Sequence, residues 1–146
     1  MATLSLVDEL VMEHQKLFDA FREVESLGIN SPEGREKLVA IGDFLGHHIR
    51  KEDAGIYSLL EKVAERDSDV MMLLYRTNRD LEDVSQEVNA FFKRCANLVD
   101  KKISDKHYFR IKKRLKERVD REEIFIFETF NKVVSQYFDG HPEGIS

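Results

Sequence analysis

Four long stretches of this chain place apolar residues three and four apart, and short polar turns separate them; amphipathic helices satisfy that pattern and strands do not. From Leu4 to about Leu27 the stripe is Val7, Leu10, Val11, Leu17, Phe18, Phe21 and Val24. Gly28-Ile29-Asn30-Ser31-Pro32 then stops one helix and starts the next, with Ser31 placed to cap it and Pro32 at its first position. The second stripe uses Leu38, Ile41, Leu45, Ile56, Leu59, Leu60 and Val63. In the polar turn ERDSD at 65–69, Asp67 or Ser68 is the cap for a third helix carrying Met71, Leu74, Leu81, Val84, Val88, Phe91, Phe92, Cys95 and Leu98. Ser104 or Asp105 opens a fourth, with Tyr108, Ile111, Leu115, Val119, Ile126, Phe130, Val133 and Tyr137, which Asp139-Gly140-His141-Pro142 ends. Four amphipathic helices joined by short turns predict an all-α, antiparallel, up-down-up-down four-helix bundle. It forms one domain over residues 1–138, with a loose C-terminal tail at 139–146.

A chain of 146 residues buries one sizeable core. Its formal charge of −5 weighs against nucleic-acid binding, which needs a basic surface. No run reaches the ~18 apolar residues of a membrane span. The start, MATLSLVDEL, lacks the basic region and continuous apolar stretch of a secretory signal. The single Cys95 cannot form an internal disulfide, and its place on an apolar stripe reads as a small buried hydrophobe. A cytoplasmic location is the expectation. Phe127 and Phe138 fall off the fourth stripe and are expected to face outward, a thin basis for any oligomer.

Polar residues interrupt the stripes on the side that faces the core. His14 lies between Leu10 and Phe18, His48 and Glu52 between Leu45 and Ile56, Asn78 between Leu74 and Leu81, and Arg118 and Glu122 between Leu115 and Ile126. Counting 1.5 Å per residue from the turns brings all of them to one depth of the bundle. Alone, His14 reads as a hydrogen-bonded core histidine, Asn78 as an ordinary interhelical contact, and Arg118 with Glu122 as a surface ion pair at i,i+4. Together at one level they have to be paired or hold a metal, because isolated buried charge is too costly. In one solution His14, His48, Glu52 and Glu122 bind a metal of the kind that accepts nitrogen and oxygen ligands. In the other, the Arg118 guanidinium donates to both Glu52 and Glu122, and His14, His48 and Asn78 complete the network. A weak internal echo links the halves: HIRKEDAGIYSLL at 48–60 and RVDREEIFIFETF at 118–130 share one frame.

These residues resemble the hemerythrin-like family, the HHE cation-binding domain, over nearly the whole chain from His14 to about Phe130. The matching motifs are His14 in the first helix and His48-Ile-Arg-Lys-Glu52-Asp53 in the second. The family often repeats His-x-x-x-Glu-Glu in the fourth helix; here it reads Arg118-Val-Asp-Arg-Glu122-Glu123. In the third helix Asn78 stands where the family usually has histidine. The resemblance implies a di-iron centre of five histidines and two carboxylates, or close variants, of which His14, His48, Glu52 and Glu122 remain. His47, His107 and His141 do not fit the pattern. Arginine at a ligand position brings a permanent cation to where metal ions would sit, so reversible oxygen binding is not expected.

The resulting expectation is a degenerate, metal-free pocket in a non-catalytic regulatory or protein-interaction module. The alternative is a non-haem iron sensor or storage-type protein that uses the residual ligands for one ion or a modified di-metal site. An oxidase or peroxidase has no support beyond the pocket, and the Lys-Gly pair of a phosphorelay domain is missing after His47. Lys101 to Arg118 hold nine Lys or Arg against two acids, with Tyr108 and Phe109 interleaved, and could receive an acidic protein partner. The bland alternative is a solvated face whose cations pair with neighbouring helices.

Overall fold

In the computed structural model of the protein, which describes residues 5–97 and 101–138, a side-chain cap opens each of the four long helices. Leu4, Leu98, His141 and the tail at 139–146 lie outside the described residues, as do the side chains of Leu81, Tyr137 and Phe138. Ser5 accepts from the Asp8 N–H at 3.1 Å and opens α1, Leu6–Leu27. Gly28 ends α1 at φ +100°, a conformation open to glycine and strained for other residues. Ser31 then accepts from the Gly34 N–H at 2.9 Å, and α2, Pro32–Glu52, begins with proline as its first residue. Asp67 accepts from the N–H groups of Asp69 and Val70 and opens α4, Ser68–Asn97. Ser104 accepts from the His107 N–H at 3.1 Å and opens α5, Asp105–Arg121.

The second and fourth rods are not uniform helices. α2 runs through a π turn at Asp53–Tyr57 into α3, Ser58–Ala64. α5 runs through a π turn at Glu122–Ile126 into α6, Phe127–Phe138. In each, one N–H reaches back five residues, from Ser58 to the Asp53 carbonyl and from Phe127 to the Glu122 carbonyl. The weak internal echo is thus matched in the backbone.

The extra residue of a π turn rotates everything beyond it by about 100° relative to a plain α-helix. That is why Phe127, expected to face outward, is 2 % exposed. Ile124 and Phe125, within the turn, are the residues it leaves at the surface. Met71 also departs from its expected stripe: Val70 is buried in its place, and Met71 is exposed.

The four rods, α1, α2–α3, α4 and α5–α6, form the antiparallel all-α bundle that the stripes predict. Two apolar clusters fill it. One is centred on Phe21, Leu38, Phe91, Tyr108 and Ile111, toward the 28–31 turn. The other is centred on Leu10, Ile56, Leu60, Leu74 and Ile126, toward the 65–67 turn. Cys95 belongs to the first, and burial pushes its thiol pKa up. Between the clusters lies a slab of buried polar side chains: His14, His48, Glu52, Arg118 and Glu122.

Candidate metal centre

His14 comes from the middle of α1, His48 and Glu52 from the last turns of α2, and Arg118 and Glu122 from the junction of α5 with its π turn. A spacing of four puts His48 and Glu52 on one face, and Arg118 and Glu122 on one face of the opposite rod. Phe127 stacks on the His14 ring at 5.7 Å between centroids and 5° between planes, so the π turn of the fourth rod helps to fix that imidazole.

The two imidazoles meet with their rings tilted by 53° and their centroids 4.6 Å apart. His48 Nε2 is 3.0 Å from His14 Nε2 and 3.3 Å from a Glu52 oxygen, and His14 Nε2 is 3.9 Å from the other Glu52 oxygen. One ligand atom from each of His14, His48 and Glu52 lies within 4.8 Å of the other two. On its far side His48 Nδ1 lies 2.8 Å from Glu13, whose carboxylate also holds Lys51. That bond assigns the proton of His48 to Nδ1 and turns the Nε2 lone pair toward His14 and Glu52. Burial pushes the Glu13 carboxyl up, but Lys51 and His48 together outweigh it and hold the group ionised below its usual range. His14 Nδ1 faces Glu123 at 3.5 Å without completing a hydrogen bond.

Both oxygens of Glu52, itself 1 % exposed, are without a hydrogen-bond donor. Buried polar atoms are rarely left so. Burial pushes the Glu52 carboxyl up, with Glu122 and Arg118 opposing. Burial first, and then the neighbouring Glu52, push Glu122 well above its ordinary value. Burial, followed by His48 and Arg118, lowers His14 to about 3, so its imidazole is neutral, the form that binds metals.

Glu122 is better supplied. The Tyr57 hydroxyl donates to it at 2.9 Å and Arg118 Nε donates at 3.4 Å. Arg118 Nη1 donates to the Ser85 hydroxyl at 2.7 Å. The guanidinium thus joins Glu122 to α4 and does not bridge Glu122 to Glu52 as expected. A void of about 10 Å³ remains among His14, His48, Glu52, Arg118 and Glu122. That is room for one ion or water, whereas two bridged metals need centres about 3.5–4 Å apart.

Asn78 is exposed and takes no part in the slab. Counting from the turns placed it level with Glu52, but Arg118 extends along the bundle and is met by Ser85, seven residues further on. His47 is exposed and bonded to Arg50, and His107 packs edge-on against Phe91 at 5.2 Å; neither reaches the centre. Tyr57, Ser85, Glu13 and Glu123 are the contributors that the candidate ligand set leaves out. The acids announce themselves only by adjacency, Glu13 to His14 and Glu123 to Glu122.

Orphaned carboxylate oxygens beside two imidazole nitrogens fit a cation, and two histidines with one carboxylate form a donor set used for non-haem iron and zinc. Neither the comparison with curated proteins nor that with solved structures returned a match. The family model of the hemerythrin HHE cation-binding domain matches residues 5–130, which include every residue of the buried centre, and the chain belongs to that family.

Proposed function

We propose that the protein holds a single metal ion at His14, His48 and Glu52, iron being best suited, and that it serves as a regulatory or sensing module and not as a catalyst. The observation that carries this reading is the Glu52 carboxylate, buried, without a donor, and facing the Nε2 atoms of His14 and His48. An ion there would supply the missing partner of the Glu52 carboxylate, take the two Nε2 atoms in place of their contact with each other, and offer redox or ligand-binding chemistry. Around it, Glu13 would hold the His48 ring, and Phe127 the His14 ring, in their binding orientation. Arg118, bonded to Glu122, supplies a fixed positive charge on the other side and leaves no call for a second ion. The void among the ligands themselves is water-sized, which suits a single ion.

The metal-free interaction module is the second reading, favoured by the bond of Arg118 to Glu122. An acidic partner at Lys101 to Arg118 has less to support it. Arg110 and Arg114 pair with Glu87, Lys112 with Glu25, Lys116 with Asp120, and Arg118 is buried. Neighbouring helices thus engage Arg110, Lys112 and Arg114, and Lys116 is paired within its own helix.

Elemental analysis of protein expressed with added iron and purified anaerobically without chelators tests the proposal. About one equivalent of iron per chain is expected. Well-folded protein that takes up no iron, manganese or zinc would leave the metal-free module as the function.

A further inference from the structure

The two imidazoles of the centre are held unequally on their outer sides. His48 Nδ1 has a carboxylate partner at 2.8 Å in Glu13, whereas His14 Nδ1, on a ring 3 % exposed, has no hydrogen bond. A carboxylate is nevertheless in place there: a Glu123 oxygen lies 3.5 Å from His14 Nδ1. Glu123 belongs to the second π turn, is 33 % exposed, and borders the open cleft between α1 and α5. Its carboxylate therefore has room to close on the ring.

The placing of protons explains why so near an acceptor goes unused. His48 Nε2 and His14 Nε2 are 3.0 Å apart, and two bare lone pairs do not approach so closely. His48 carries its proton on Nδ1, toward Glu13, so His14 has to be the donor between the two Nε2 atoms. The neutral His14 ring then turns the Nδ1 lone pair to Glu123, and a carboxylate finds nothing there to accept. Occupancy of the centre reverses the arrangement. To give its Nε2 lone pair to an ion, His14 has to carry its one proton on Nδ1, where it points at Glu123.

We infer that Glu123 is the positioning residue of His14 and engages it only when the centre is occupied, its carboxylate accepting from Nδ1–H and holding Nε2 toward the ion. The inference rests on the proposed single-ion site and adds to it a division of labour. Glu13 holds His48 with or without an ion and preforms one half of the donor set. Glu123 answers the ion, a response that suits a sensing module.

Zinc, which is diamagnetic and accepts the same donors, is the probe. Imidazole nitrogen shifts of the full chain, recorded ion-free and zinc-loaded, report the tautomer of His14. Nε2–H is expected in ion-free protein and Nδ1–H in loaded protein. Glu123→Ala should weaken zinc binding about tenfold or more in a chelator competition. Glu123→Gln keeps a carbonyl acceptor and should recover part of that loss. Neither variant should move the thermal midpoint of ion-free protein, because the bond is absent there. The inference alone is overturned if ion-free protein already carries Nδ1–H on His14, or if zinc binds the wild type and Glu123→Ala equally well. Folded protein that takes up no zinc overturns it together with the single-ion site.

Discussion

In the second rod, His48 and Glu52 stand just ahead of a π turn; in the fourth, Arg118 and Glu122 stand at the entrance to another. The backbone treatment is alike and the outcome is opposite. On the second rod the side chains present lone pairs toward the interior, and the Glu52 oxygens find no donor. On the fourth, Arg118, together with Tyr57, satisfies Glu122 and ties it to Ser85. One half leaves a buried carboxylate open while the other carries its own cation. Imidazole or guanidinium at the same place in the backbone frame thus decides whether the neighbouring carboxylate is left open or satisfied.

The largest expected effect falls on the half proposed to hold the ion. His48→Ala should abolish stoichiometric metal, read by elemental analysis on protein whose helical signal is intact; metal that persists would break the contrast between the halves. Next, Arg118→Ala should cost about 3 kcal/mol in urea unfolding, because Glu122 loses a buried partner. Adding Glu122→Gln should return much of that loss, and strict additivity would mean that the two side chains act separately. Glu13→Gln should leave the fold unchanged but weaken metal binding about tenfold or more in a chelator competition, since the His48 ring loses its orienting carboxylate.

The smallest effect lies outside the slab and serves as its control. The Tyr108 hydroxyl donates to Glu25 at 2.9 Å and to the Phe21 carbonyl at 3.1 Å, and burial, then Glu25, hold it above its ordinary 10.0. Because the folded value is raised, its contribution is fully present below pH 10 and is lost as pH rises through the folded value. Tyr108→Phe should therefore cost about 1 kcal/mol at neutral pH and flatten the alkaline fall in stability, with metal content unaffected.

Residues that act through their immediate neighbours were legible in the sequence. Ser31, Pro32 and Ser104 mark helix starts because capping needs only the next turn. His14, His48, Glu52 and Glu122 stood out because each interrupts an apolar face at helical spacing, and the slab contains them all. Asn78 misled because a count from the turns fixes height along a rod but not the reach of the side chain that arrives there. Phe127 misled because the π turn before it has no signature in the sequence, and a strict 3.6 period assigns the wrong face beyond it. The bond from Glu13 to His48 was hidden for a different reason: it joins two helices, and a lone acid beside a histidine looks like ordinary surface.

Gly55, inside the first π turn, is where that backbone irregularity meets the rest of the molecule, since a Cβ there would lie 2.3 Å from the Leu6 Cδ2 atom. Removing a single residue between 53 and 57 would give a straighter helix. It would also swing Ile56, Tyr57 and Leu60 out of register with His48 and Glu52. A one-codon deletion would thus regularise the local helix while pulling core residues away from the centre they flank, so the irregular backbone serves packing and site together.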